Sequence, residues 1–113
     1  MSMKIATRQL DGITVLDLGG RITLGEGSVQ LRDAVRDLIS KGQKKIVLNL
    51  ADISYMDSSG MGELVTAYTS VKNQGGELKL VNLTKKIEDL MQITKLVTVF
   101  DIYDDEAKAI AAF

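Results

Sequence analysis

Several residue types that carry much of protein chemistry are missing from this chain. It has no cysteine, which excludes a disulfide, a thiolate nucleophile and a cysteine-based metal site. It has no histidine, which removes the commonest general base, the commonest metal ligand and any phosphohistidine relay. Proline is absent, so there is no proline-rich linker. Aromatic residues make up only 4%, few for a platform that stacks single-stranded nucleic acid. No apolar run approaches the roughly 20 residues of a membrane span. Met1 to Leu10 alternates and carries charge, without the apolar core of a signal peptide. Neither sign of charge dominates: the net charge is −1, with Lys and Arg spread along the chain and no basic stripe. These absences predict a cytoplasmic protein with no cofactor, no metal, no nucleic-acid partner and no membrane insertion.

What is present fits one compact domain. The 113 residues are 45% hydrophobic and 26% charged, enough for a single core spanning residues 1–113. The densest cluster of chemistry is Asp57-Ser58-Ser59-Gly60-Met61-Gly62. Ahead of it runs Ile46-Val47-Leu48-Asn49-Leu50, apolar and opening on the β-branched pair Ile46-Val47, as a buried strand should be. Behind it Met61, Leu64, Val65, Tyr68 and Val71 recur at helical spacing. Asp and Ser suit a helix start, where their oxygens accept from unpaired first-turn amides. Glycines at 60 and 62 leave the corner without bulk. The expected result is an exposed serine hydroxyl at the positive end of a helix, where a phosphate is tolerated. The same residues also make an ordinary N-cap.

The flanking chain supplies a frame. Lys4 to Arg8 alternates, Asp11-Gly12 signals a hairpin turn, and Ile13 to Leu18 forms the return strand. Gly19-Gly20 is expected to break that strand and open a loop through Gly27. Ser28 is the expected cap of a first helix with Leu31, Ala34, Val35, Leu38 and Ile39 on its apolar stripe. Arg32, Asp33, Arg36 and Asp37 are spaced to pair on its outer face. Lys41-Gly42 ends the helix. Ala51 to Met56 reads as a short connection whose Ile53, Tyr55 and Met56 pack inward. After the serine helix, Gly75-Gly76 stops it and Glu77 to Val81 makes a fourth strand. Thr84 caps a third helix carrying Ile87, Leu90 and Met91. A fifth strand centres on Val97-Thr98-Val99-Phe100, and Asp104-Asp105-Glu106 starts a last helix. The order β-β-α-β-α-β-α-β-α predicts a mixed, mostly parallel five-stranded sheet with an N-terminal antiparallel hairpin and about four helices. Ligands gather at strand C-terminal ends in such folds, and the Asp57–Gly62 corner follows one.

The run Ile46 to Leu50, the segment Ile53-Ser54-Tyr55-Met56-Asp57-Ser58-Ser59-Gly60 and Gly75-Gly76-Glu77-Leu78 together resemble a STAS domain of the bacterial anti-sigma factor antagonist family. Length and element order match as well. The resemblance implies a partner switch. The unmodified protein binds an anti-sigma factor that is also a serine kinase of the GHKL type. That binding frees the sigma factor. Phosphorylation of the serine after the aspartate, here Ser58 with Ser59 as runner-up, ends the interaction, and a PP2C-type phosphatase restores it. The implied partner surface includes Asp57, Ser58, Ser59, Gly60, Met61, Gly62, Arg21 and Thr23. Asp57 either orients the hydroxyl or caps the helix. One departure stands out: sporulation-type relatives carry Gly-Glu-Leu-Asp where this chain has Gly20-Arg21-Ile22-Thr23, which leaves partner identity open. The same fold also serves as an accessory subunit of lipid-transport ABC systems, bound to the ATPase without serine modification. An enzyme is the weakest reading, since Ser58 has no histidine to activate it and G-x-S-x-G is absent. Oligomeric state is not legible.

Overall fold

The computed structural model describes residues 3–113. Met1 and Ser2, the first residues of the segment that lacks signal-peptide character, lie outside the described residues. The elements follow the order β1 (Met3–Leu10), β2 (Ile13–Ile22), α1 (Glu26–Ser40), β3 (Lys45–Met56), α2 (Ser58–Asn73), β4 (Glu77–Val81), α3 (Lys85–Ile93), β5 (Asp101–Tyr103) and α4 (Glu106–Ala111). The five strands lie side by side in chain order. β1 and β2 pair antiparallel through the Asp11-Gly12 turn, and every later neighbour pairs parallel.

The sheet has two unequal faces. Alternation along β3 sends Ile46, Leu48 and Leu50 to one face and Val47 to the other. The first face carries the large core, closed by Leu31, Val35 and Leu38 of α1, Met61, Leu64 and Val71 of α2, and Ile87 and Met91 of α3. Crossovers of one hand that step steadily across a sheet put their helices on the same side, which accounts for this grouping. The second face is covered in part by α4, whose Ala109 meets Ile13, Val15, Val47 and Val81.

Five sequence expectations need correction. Gly19-Gly20 does not break β2, which runs on to Ile22. Gly20 has φ of 95° at a register shift against β3, so it marks a bulge rather than a strand end. Residues 51–56 are likewise not a connection but the second half of β3. The register moves by one residue between Asp17 and Gly19 and again between Gly20 and Arg21. Each shift inserts one residue into β3 and resets its alternation. Leu50, Ile53 and Met56 therefore all reach the core although they are three residues apart, a spacing that disguises a strand. α1 starts at Glu26 behind Gly25, and Ser28 lies inside its first turn, its hydroxyl donating back to the Thr23 carbonyl at 2.9 Å. The fifth strand sits at Asp101–Tyr103 instead of Val97–Phe100. Leu96–Thr98 forms a single 3-10 turn after left-handed Lys95. Phe100 is drawn into the core, edge to face with Tyr68 at 5.5 Å; tertiary packing overrides local β-propensity there. The charges on α1 also find other partners. Arg32 reaches across to Glu63 of α2, and Asp37 pairs with Lys41.

Candidate functional site

β3 ends at Met56, whose side chain is buried. Asp57 then turns the chain while still extended, with φ −97° and ψ −175°. Its amide donates to the Ile22 carbonyl at 3.3 Å, so the corner is tied to the end of β2. One carboxylate oxygen accepts from the Gly60 amide at 2.8 Å and caps α2. The other accepts from the Leu24 amide at 3.0 Å and pins the loop between β2 and α1. These backbone donors, Gly60 first and Leu24 second, hold the carboxyl below the usual carboxylate range. With both oxygens engaged by amides, Asp57 has the role of cap and staple. It is not disposed to act as a base for a neighbouring hydroxyl.

Ser58 is the first residue of the helix and is exposed, whereas Ser59 is half-buried. The 16-residue α2 directs its positive end toward both. Gly60 and Met61 face the other way. A Cβ on Gly60 would run into the Ile22 carbonyl, and Met61 is buried in the large core. Gly60 therefore serves internal contact, not approach from outside, which corrects the expectation drawn from its small size. Gly62 is the open one: nothing lies within 4 Å of a Cβ built on it. The accessible part of the corner is thus Ser58, part of Ser59 and Gly62, braced from below by Gly60 and Met61.

Arg21 and Thr23 flank this corner from the end of β2. Arg21 is exposed, and its guanidinium lies 4.9 Å from the ring centroid of Tyr55, its register partner on β3. Thr23 is half-buried and acts through its carbonyl, which accepts from both the amide and the hydroxyl of Ser28. Two large side chains stand exposed near this corner. Leu24 is 79% exposed, and Tyr55, expected to pack inward, is 46% exposed. The signal for Leu24 was faint: an isolated apolar residue between Thr23 and Gly25 with no periodic companions. Tyr55 was hidden by the phase shift in β3. Behind the corner, Arg32 clamps α1 to α2 through a two-pronged contact with Glu63, at 3.2 and 3.0 Å. An open groove of about 680 Å³ lies over β1, β2 and the edge of β3, lined by Lys4, Ala6, Asp17 and Asp52 among others, apart from the serine corner. No group of potential metal ligands is found among the described residues, and no helix among them is long and apolar enough to cross a membrane.

A mixed sheet of this order, with a capped and exposed serine after its third strand, defines a class. The STAS domain family matches residues 4–109, and the chain belongs to that family. The anti-sigma-B factor antagonist of Bacillus subtilis (strain 168) is 34% identical over 102 residues, covering 90% of this chain and 92% of the relative. The anti-sigma F factor antagonist of Paenibacillus polymyxa is 27% identical over 111 residues, covering 97% and 94%. Among solved structures, a Thermotoga maritima protein superposes with a TM-score of 0.88 at 27% identity, covering 96% of this chain and 92% of its own.

Proposed function

We propose that this protein is an anti-sigma factor antagonist working by partner switching, with Ser58 as the switch. In its unmodified form it binds an anti-sigma factor that is also a serine kinase of the GHKL type, and so releases a sigma factor. Phosphorylation of Ser58 ends that binding, and a PP2C-type phosphatase restores it. The observation that carries the reading is the exposed Ser58 on the capped first turn of α2, in a chain whose relatives are anti-sigma factor antagonists.

The geometry supports a switch of surface charge in place of refolding. A phosphoserine adds about −1.5 to −2 charge at neutral pH. At the first residue of α2 the helix dipole favours it, so the helix stays formed. A bound partner, in contrast, has to strip water from it beside the Asp57 carboxylate, which two backbone bonds keep in place. SpoIIAA, which shares the fold, matches this chain with a TM-score of 0.73 both in its unphosphorylated form and in its phosphorylated form. No chemistry is required of the antagonist itself beyond presenting the hydroxyl.

The test starts with protein isolated from its native cells, mapped for phosphate by mass spectrometry together with its co-purifying partner. Ser58→Ala should bind that anti-sigma factor as the unmodified protein does and resist release by ATP. Ser58→Asp should bind about tenfold more weakly or worse. Equal affinities for the two variants would overturn the proposal, and phosphate found on Ser59 alone would move the switch by one residue.

A further inference from the structure

We propose that Arg21, stacked on Tyr55, selects the partner: the surface that meets the Ser58 corner is acidic where it faces Arg21 and apolar where it receives Leu24. The inference rests on the Ser58 corner being the partner surface and specifies the chemistry of what docks there.

Arg21 differs from the arginines that are tied down. Arg8 lies between Asp17 and Glu106, and Arg32 holds Glu63. Arg21 has no carboxylate within ion-pair distance among the described residues, and its one specific contact is the Tyr55 ring. The cation–π contact holds the guanidinium over that ring, and no carboxylate of the described residues takes up its N–H groups. An arginine already held in position loses less freedom on binding than a loose one. Its backbone is fixed as well. Arg21 pairs with Tyr55 in the sheet, and its carbonyl lies against Gly27 of α1. Leu24, three residues on, has its amide pinned by Asp57 and its side chain 79% in solvent. A preset arginine, a half-exposed tyrosine and a projecting leucine on rigid backbone form the kind of cluster that anchors interfaces.

Charge decides the occupant. Asp57 stays ionised, its carboxylate held by two amides at the start of α2, and the exposed Glu26 at the start of α1 is a second acid nearby. Ser58 and Gly62 are neutral, and Arg21 is the cation beside them that no carboxylate among the described residues pairs. Phosphate on Ser58 would add about −1.5 to −2 charge beside Arg21, outweighing its single positive charge. An acidic partner surface is therefore attracted before modification and repelled after it. A basic surface would respond in the opposite sense, tightening on phosphorylation. The switch and the choice of partner then follow from one sign of charge.

The probe is the anti-sigma factor that co-purifies with the wild-type protein, titrated with wild type, Arg21→Lys, Arg21→Ala, Arg21→Glu and the double variant Arg21→Glu/Ser58→Ala. Thermal melts confirm that each is folded. Arg21→Ala should weaken binding about tenfold and Arg21→Glu further, with Arg21→Lys between wild type and Arg21→Ala. The double variant should bind as poorly as Arg21→Glu, and the salt sensitivity of wild-type binding should fall in Arg21→Ala. Affinities for Arg21→Glu within about twofold of wild type, or tighter, overturn the inference. If Ser58→Ala and Ser58→Asp separate as expected while Arg21→Glu is neutral, this inference alone fails. If Ser58→Ala and Ser58→Asp bind alike, the switch fails and the inference falls with it.

Discussion

The two helix starts beside the end of β2 make an instructive pair. Both press a first-turn glycine onto the end of β2: Gly27 of α1 against the Arg21 carbonyl, and Gly60 of α2 against the Ile22 carbonyl. Their caps differ. α2 has a side-chain cap in Asp57, whereas α1 follows Gly25 with none. The α1 corner is held from elsewhere, by Ser28 folding back onto Thr23 and by the second oxygen of Asp57 on the Leu24 amide. The α1 corner therefore leans on the cap residue of α2. The loop carrying Arg21 and Leu24 is positioned by the same carboxylate that presents Ser58.

The sharpest way to break this arrangement is Gly60→Ala. The new Cβ collides with the Ile22 carbonyl and comes within 2.9 Å of the Met56 side chain. The carbonyl is backbone of a paired strand and cannot yield without disturbing the β2–β3 register. The expected loss is about 3 kcal/mol, a fall in Tm of roughly 10–20 °C, read from thermal and urea unfolding. Gly27→Ala, with its nearest clash at 2.6 Å, should cost less. A variant at position 60 as stable as wild type would mean that the glycine contact does not fix the corner.

Next in size is Asp57→Asn, which separates the two tasks of that side chain. Asparagine keeps one acceptor oxygen and loses the other, so only one of the two amides remains satisfied. Hydrogen exchange should show protection falling at Leu24 or at Gly60 but not at both, whereas Asp57→Ala releases both. The pH dependence follows from the depressed folded pKa. The stabilising charge is fully present above the unfolded value of 3.8 and is lost as pH falls through the lower folded value. Asp17 is also depressed, chiefly by Arg8, so wild type has more than one acid-sensitive contact. The difference between wild type and Asp57→Asn isolates the Asp57 share: constant near neutrality and shrinking in acid. A difference that grew toward low pH would contradict the capping geometry.

The α2 corner was legible in sequence because it is local. Cap, serine, glycine and periodic apolar residues follow one another without interruption. The hairpin was legible for the same reason: Asp11 and Gly12 both take positive φ, at 53° and 80°, as a tight turn between paired strands requires. The α1 corner was not legible. Its supports come from residue 57, and the strands leading to it carry two bulges that break the period of two. Gly19-Gly20 and residues 51–56 were misread because each, taken alone, has the composition of a loop; only their pairing makes them strand. The exposure of Tyr55 and the bridge from Arg32 to Glu63 depend on the same long-range geometry.

The smallest effect on stability separates two glycines only two residues apart. Gly62 sits in the first turns of α2 with nothing near its missing side chain. Helix propensity alone then governs Gly62→Ala, which should stabilise the fold by up to about 1 kcal/mol. If its emptiness serves a partner, the same added methyl should weaken anti-sigma factor binding several-fold while the protein itself becomes harder to unfold. Loss of affinity together with gain in stability is the signature of a residue kept small for an interface. Gly60→Ala should lose both together, because its glycine is kept small for the core.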